Sequence, residues 1–267
     1  MFKEKLLIGQ YYPIESPIHR LDARAKILAS LIYMITLFVV NNWWGYALMA
    51  AVFLLNTAIS RLPMAAVWRG LKIILYFSIL TMIFNFFFYS EGEIIWQYKA
   101  LILTDQGILH GIAMGLRLLL LVAFASLLTL TTTPIQLTDG LESLLNPLSV
   151  IKFPAHDIAM MTSIALRFIP TILEEFDRII LAQRARGATI SQGSFLKRVK
   201  AMVPLMVPLF VAAFRRAEEL AQAMEAKCYR GGKGRSRWKK PQWHQRDSGY
   251  LILFALLVVA SVLLRGI

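Results

Sequence analysis

Apolar residues gather into five runs, at about Ile27 to Val40, Trp43 to Ile59, Leu71 to Tyr89, Ile108 to Leu130 and Tyr250 to Leu264. A helix needs about 20 residues to cross the hydrocarbon core of a bilayer, so the first and last runs are short unless flanking residues such as Leu21 to Lys26 join them. Lys26 and Arg265 can then snorkel to the interface. Asn41-Asn42-Trp43-Trp44-Gly45 puts turn formers and interfacial aromatics between the first two runs, which predicts a tight helical hairpin. From Pro134 to Ser248 the pattern changes to helical periodicity with polar faces. Breaks are predicted at Pro147, Pro154, Gly193 and Gly231, with kinks or restarts near Pro170, Pro204 and Pro208. About three helices, two of them long, are expected there. Apolar positions such as Met160, Met161, Ile164, Phe168, Met202, Val203, Met206 and Phe210 are too many for a solvated arm and require a cover. The expectation is an all-α, polytopic membrane protein with about five transmembrane helices and a cytoplasmic domain of about three. The domains read as residues 1–133 (four spans), 134–247 (cytoplasmic) and 248–267 (the last span).

Composition supports a membrane part and a charged part in one chain of 267 residues, since 57% are hydrophobic while 17% are charged. A soluble domain has about 45–50% apolar residues. Lys plus Arg outnumber Asp plus Glu by 29 to 16, and their placement sets the orientation. Residues 1–26 hold five (Lys3, Lys5, Arg20, Arg24, Lys26), the second link holds Arg61, Arg69 and Lys72, and residues 134–248 hold eighteen. The link from Ser90 to Gln106 holds only Lys99 against Glu91, Glu93 and Asp105. By the excess of cations on cytoplasmic loops, the N-terminus and residues 134–247 face the cytoplasm and the C-terminus faces outside. The start MFKEKLLIGQYYPIESP lacks the apolar core of a signal peptide. Cys228 is the single cysteine, which excludes an intramolecular disulfide.

Two stretches match at an offset of 44 residues, from Glu174 to Glu218. Glu174-Glu175-Phe176 precedes Ala182-Gln183-Arg184-Ala185-Arg186-Gly187, and Glu218-Glu219-Leu220 precedes Ala226-Lys227-Cys228-Tyr229-Arg230-Gly231. Each reads as a helix that begins acidic and ends in Arg-Gly. A cation in the last turn and a glycine just past it account for either end as a cap. They do not account for the recurrence, which also fits arginines presented to acidic grooves on a partner.

At these positions the chain resembles the transmembrane T component (EcfT) of energy-coupling factor transporters. The Ala185-Arg186-Gly187 and Tyr229-Arg230-Gly231 triplets match the family's paired x-Arg-Gly motifs, the second departing from the common Ala-Arg-Gly form at Tyr229. Ser16-Pro17-Ile18-His19-Arg20-Leu21-Asp22-Ala23-Arg24-Ala25-Lys26 is also similar to the family's start. The resemblance implies a scaffold and coupling subunit of an importer of the ATP-binding-cassette type for vitamins or micronutrients, located in the cell membrane. It implies docking of the two arginines on two cytoplasmic ATPase subunits and transmission of their motion to an exchangeable substrate-binding S component. ATP would be bound by the partners, with no cofactor, metal or catalysis in this chain.

The remaining candidates weigh less. Met160, Met161, Met202, Met206 and Met224 suit a surface that accepts several partners, and the first four are candidate S-component contacts. Arg117 sits inside the fourth run and predicts snorkelling or a bundle-facing partner rather than a transport site. His19, His110, His156 and His244 lack metal-ligand spacing, and Glu142, Asp157, Asp177 and Asp247 form no acid–base pattern. The Lys227 to Lys240 tract lacks the phosphate-loop spacing and reads as a linker attracted to anionic lipid, not to nucleic acid. A T component dedicated to a cobalt or nickel importer is the nearest alternative; a membrane-embedded enzyme or a basic anchor protein fits less well.

Overall fold

The computed structural model describes residues 11–88, 92–98, 101–147, 154–187, 195–229, 231 and 243–264. Among these it has eight helices: α1 (Ala23–Val39), α2 (Trp43–Ser60), α3 (Met64–Phe88), α4 (Asp105–Thr131), α5 (Pro134–Leu145), α6 (Ala155–Ala185), α7 (Phe195–Ala226) and α8 (Gln245–Leu264). Helix α2, α3 and α4 are each long and apolar enough to cross a membrane. This is an all-α membrane protein, as the hydrophobic pattern predicts, with one addition. Strands β1 (Ile94–Tyr98) and β2 (Leu101–Thr104) form an antiparallel hairpin in the acidic link between α3 and α4.

The chain divides into two compact units, Met1–Leu144 with Lys240–Ile267, and Leu145–Lys239. In the first, α1, α2, α4 and α8 share an aromatic core. The ring of Tyr33 stacks on Phe124 at 4.0 Å between centroids, and Phe254 meets Phe124 edge-on at 5.7 Å and Tyr250 at 4.9 Å. The hydroxyls at the ends of this column are satisfied across helices, Tyr33 donating to the Met49 carbonyl at 3.0 Å and Tyr250 to Asn56 Oδ1 at 2.8 Å. Burying a phenol without such a partner costs several kcal/mol in an apolar medium, so the pairs also fix the register of the helices. Within α2, Asn56, Thr57 and Ser60 bond carbonyls of their own helix, which lets them be buried there.

Helix α3 packs along α4 through small residues. Gly107, Gly111 and Gly115 are buried on α4 at four-residue spacing, which lets the backbones approach as in membrane helix pairs. Ser78 Oγ donates to the Gly115 carbonyl at 2.6 Å. A Cβ on Gly111 would lie 2.5 Å from Phe86 Cδ1 and 2.9 Å from the Met82 carbonyl oxygen, whereas one on Gly115 would meet nothing closer than 3.4 Å.

At the C-terminal end of α1, Arg117 finds the bundle-facing partner. Its Nη2 donates to the carbonyl of Val40, the C-cap of α1, at 2.9 Å, and to Asn41 Oδ1 at 3.3 Å, with the Phe38 and Tyr46 rings each 5.8 Å away. A cation on the negative end of a helix dipole is favourable, and the arginine is a structural clasp between α4 and the α1–α2 turn. Pro170, Pro204 and Pro208 lie inside α6 and α7, so neither helix restarts there.

Gly111→Ala should lower the stability of the full chain by about 1–3 kcal/mol through overpacking against α3, while Gly115→Ala should stay near the parent. Thermal unfolding of the two variants in the same detergent checks this contrast; equal midpoints would refute the close packing at Gly111.

Candidate functional site

The second unit pairs α6 with α7. Each is a long amphipathic helix, and three contacts give their relative direction. Tyr229 Oη donates to Met160 Sδ at 2.9 Å, Arg216 Nη2 lies 3.8 Å from Glu175 Oε2, and Gln183 Nε2 donates to the Pro204 carbonyl at 3.4 Å. As the α6 partner advances from 160 to 183, the α7 partner retreats from 229 to 204, so the helices run antiparallel. Gly187 and Tyr229 therefore lie toward opposite ends of the pair. Tyr229 sits beside Met160, and Arg186 is 26 residues further along α6. At 1.5 Å per residue that is about 39 Å of helix.

The two ends are built differently. Helix α6 stops at Ala185, Arg186 is its C-cap, and Gly187 takes φ 83° while its N–H donates to the Arg184 carbonyl at 2.9 Å. Gly187 is thus the left-handed residue that closes α6. Helix α7 stops at Ala226, and the left-handed position falls on Cys228 at φ 55°. The Cys228 N–H donates to the Glu225 carbonyl at 2.8 Å and the Tyr229 N–H to the Met224 carbonyl at 3.0 Å. Those bonds are the Schellman pair. Gly231, at φ 84°, lies beyond this closure and makes a second left-handed step. The expectation that Arg-Gly closes both helices holds for α6 and is corrected for α7, where Cys228 does so. Among the described residues nothing lies within 4 Å of a Cβ placed on Gly187 or Gly231. Ala185 and Arg186 are exposed; Arg230 lies outside the described residues.

Of the candidate methionines, Met161, Met202 and Met206 are 63%, 52% and 42% exposed, and Met160 is half-buried under Tyr229. Met202 and Met206 belong to a longer exposed stripe on α7 with Val203, Val207, Phe210 and Phe214.

A second cluster, in the first unit, escapes sequence reasoning. Asp247 is 2% exposed, and its two carboxylate oxygens serve two helices. Oδ2 accepts the N–H of His244 at 2.8 Å, the reach of a third-position acid back to the N-cap of α8. Oδ1 accepts the N–H of Asp22, the N-cap of α1, at 2.8 Å. Asp22 in turn accepts the Arg24 N–H at 2.8 Å and the Arg24 guanidinium through both oxygens, and that guanidinium lies 5.5 Å over the Trp243 ring. Lys26, 4% exposed, donates to the carbonyl of Thr131, the last residue of α4, at 2.9 Å and to that of His19 at 3.4 Å. Two positive helix ends thus meet two carboxylates, and one negative end meets an ammonium. No local pattern separates Asp247 from the other acids; only the N3 position in α8 hints at it. Among the described residues no group of three His, Cys, Asp or Glu side chains is placed to hold a metal ion.

Burial opposes ionisation of Asp22, but the Arg24 hydrogen bonds and the Arg24 and Lys26 charges outweigh it and hold the carboxyl below its ordinary value of 3.8. His19 is held below 6.5 by burial and by the Lys26 charge, against carbonyl bonds that act the other way. Its partners assign the neutral ring, with Nε2–H donating to the Tyr12 carbonyl at 3.1 Å and Nδ1 accepting from Ser16 Oγ at 2.7 Å.

Both shifts act in the same direction. In each case the unfolded chain binds its proton at higher pH than the folded one, so stability rises with pH through the interval between the two values. Acidification of the full chain should lower its unfolding midpoint below about pH 6.5 as unfolded His19 charges, and again below about 3.8 as Asp22 protonates. Unfolding measured across pH for the parent and His19→Gln tests this: the first step should vanish in the variant, and its persistence would remove His19 as the cause. At the end of α7, Cys228→Gly should stabilise by about 1 kcal/mol by relieving a left-handed non-glycine residue. A lower melting midpoint for that variant would contradict the assigned closure.

Comparison with known proteins matches this sequence over nearly its whole length. The family model described as "Cobalt transport protein" (CbiQ) covers residues 15–238. The chain is 48% identical to the energy-coupling factor transporter transmembrane protein EcfT of Acidaminococcus fermentans, with 98% of each chain covered. It is 46% identical to that of Ruminiclostridium cellulolyticum (95% and 96% covered) and 43% identical to that of Bacillus subtilis (97% of each). With its apolar helices and full-length relatives, the chain belongs to the EcfT family of energy-coupling factor transporter transmembrane proteins, a membrane component of a transport system.

Proposed function

We propose that this chain is the non-catalytic coupling subunit of its transporter, carrying motion from two cytoplasmic ATPase subunits to a membrane-embedded substrate-binding S component. The observation that carries this reading is left-handed backbone at Gly187, which closes α6, and at Gly231, two residues beyond Tyr229 at the opposite end of the antiparallel pair, with nothing among the described residues within 4 Å of a Cβ at either glycine. Arg186 and Arg230 each enter a groove on one ATPase, where a guanidinium meets acidic groups bidentately. Ala185, Gly187, Tyr229 and Gly231 shape the two ends. The ATPases bind and hydrolyse ATP.

The S component rests on the apolar stripe of α7 together with Met161 of α6. Met202, Val203, Met206, Val207, Phe210 and Phe214 repeat at one-turn spacing and are 42–73% exposed, more contiguous apolar surface than a water-facing helix carries. The first unit is the membrane frame, with five helices (α1 to α4 and α8) crossing, the N-terminus and residues 134–247 cytoplasmic and the C-terminus outside. The alternative is a T component of a dedicated cobalt or nickel importer, and for cobalt the description of the matching family model favours it. The identity of the small membrane proteins that co-purify distinguishes the two.

Removing an arginine from a desolvated pair costs about 3–5 kcal/mol, between two and four decades in affinity. Arg186→Ala with Arg230→Ala should abolish co-purification of the ATPases from mild detergent and ATP-driven uptake, while the chain still inserts in the membrane. Normal uptake by the double variant would sink the proposal.

A further inference from the structure

Helices α2 and α3 part as they leave the turn at residues 61–63, and a cleft of about 440 Å³ opens between them. Phe53, Leu54 and Thr57 line it from α2, and Met64, Trp68 and Leu71 from α3. The lining is dry, since Thr57 Oγ1 spends its donor on the Phe53 carbonyl of its own helix at 2.9 Å. Both helices are long and apolar enough to cross a membrane, so their connecting turn lies at a membrane face and the cleft runs from there into the hydrocarbon. Trp68, 60% exposed, stands at the level where indoles favour the interface.

Three cations flank the lining in sequence, one in the turn and two on α3. Arg61 is exposed in the turn itself. Arg69 is exposed and turns back along the helix, its Nε donating at 3.3 Å to the carbonyl of Ala65, which lines the cleft. Lys72 is exposed one turn beyond Trp68 on the same face, and helical side chains lean toward the N-terminus, here toward the turn. Among the described residues none of the three is in an ion pair, and the sequence holds no Asp or Glu between Asp22 and Glu91.

We infer that this cleft is a binding site for an anionic phospholipid, with an acyl chain between α2 and α3 and the phosphate held by Arg61, Arg69 and Lys72. An apolar partner helix would fill the groove but leave three unpaired cations beside it. A soluble anion would meet the cations and have no use for the groove. A phospholipid without net charge fits the groove but brings its own ammonium to three cations that, among the described residues, pair with no acid. Guanidinium pairs on phosphate add direction as well as charge.

The test uses the full chain, purified in detergent, stripped of lipid and offered equal amounts of phosphatidylglycerol and phosphatidylcholine, with retained lipid counted by native mass spectrometry. The parent should retain phosphatidylglycerol with about tenfold preference, and Arg61→Gln with Arg69→Gln and Lys72→Gln should bring the ratio close to one. A control of equal charge change, Arg167→Gln with Arg178→Gln and Arg215→Gln, should leave the preference intact. Ala65→Phe, which fills the cleft from an exposed position, should reduce retention of both lipids. Equal retention by the parent would overturn the inference, as would a preference that survives the groove triple. So would an equal loss in the control triple, which would mean general attraction to a basic chain, or full retention by Ala65→Phe.

Discussion

The carboxylate of Asp247 is the interaction on which the membrane unit depends. A helix that starts in an apolar setting leaves N–H groups without partners, and leaving one unsatisfied there costs several kcal/mol. In this chain one side chain answers for two such starts, accepting from the N-cap of its own helix α8 and from that of α1, where Asp22 lies 225 residues away from it in sequence. The concentration of negative charge this requires is tolerated because Arg24 grips Asp22 through both oxygens, while Lys26 takes the carbonyl at the end of α4. Helices α1 and α8 are thereby fixed to begin where α4 ends. The aromatic column of Tyr33, Phe124, Phe254 and Tyr250 can form only in that register.

Much of this was legible from hydrophobic pattern alone. The helical hairpin at Asn41 and the three helices of the segment after Pro134 follow from periodicity and turn residues. The β-hairpin was not read, because a five-residue strand such as Ile94–Tyr98 is too short to stand out within an acidic link, although its β-branched and aromatic residues are the usual signal. The prolines of α6 and α7 suggested kinks or restarts, and both helices run on through them without a restart. The role of Asp247 was invisible, since its partner at Asp22 is set by how helices meet and leaves no mark on the local sequence.

The candidate site was half legible. The 44-residue repeat located both Arg-Gly triplets, and the resemblance to EcfT attached a role to them, but the alignment implied equal helix ends. In the structure α7 ends at Ala226, and a left-handed cysteine does the work that glycine does in α6. Backbone conformation at a single residue is decided by where the last carbonyls find donors, which the repeat in letters does not encode. Arg117 is a comparable case: its type and depth raised the question, and a carbonyl 77 residues away answered it.

The antiparallel pairing of α6 and α7 restricts how that unit can respond to force. If partners hold the two far ends, as proposed above, the helices cannot follow their grips toward one another as a rigid bar. They must slide lengthwise past each other, as a telescope shortens, or pivot like scissor blades. Sliding would have to break the Tyr229 to Met160 bond and the loose Glu175 to Arg216 pair together. Pivoting about the middle of the pair would spare the central contact and strain the outer ones. A linear pull at the ends would emerge as torque at the centre, in the stretch of α7 where Val207, Phe210 and Phe214 stand exposed.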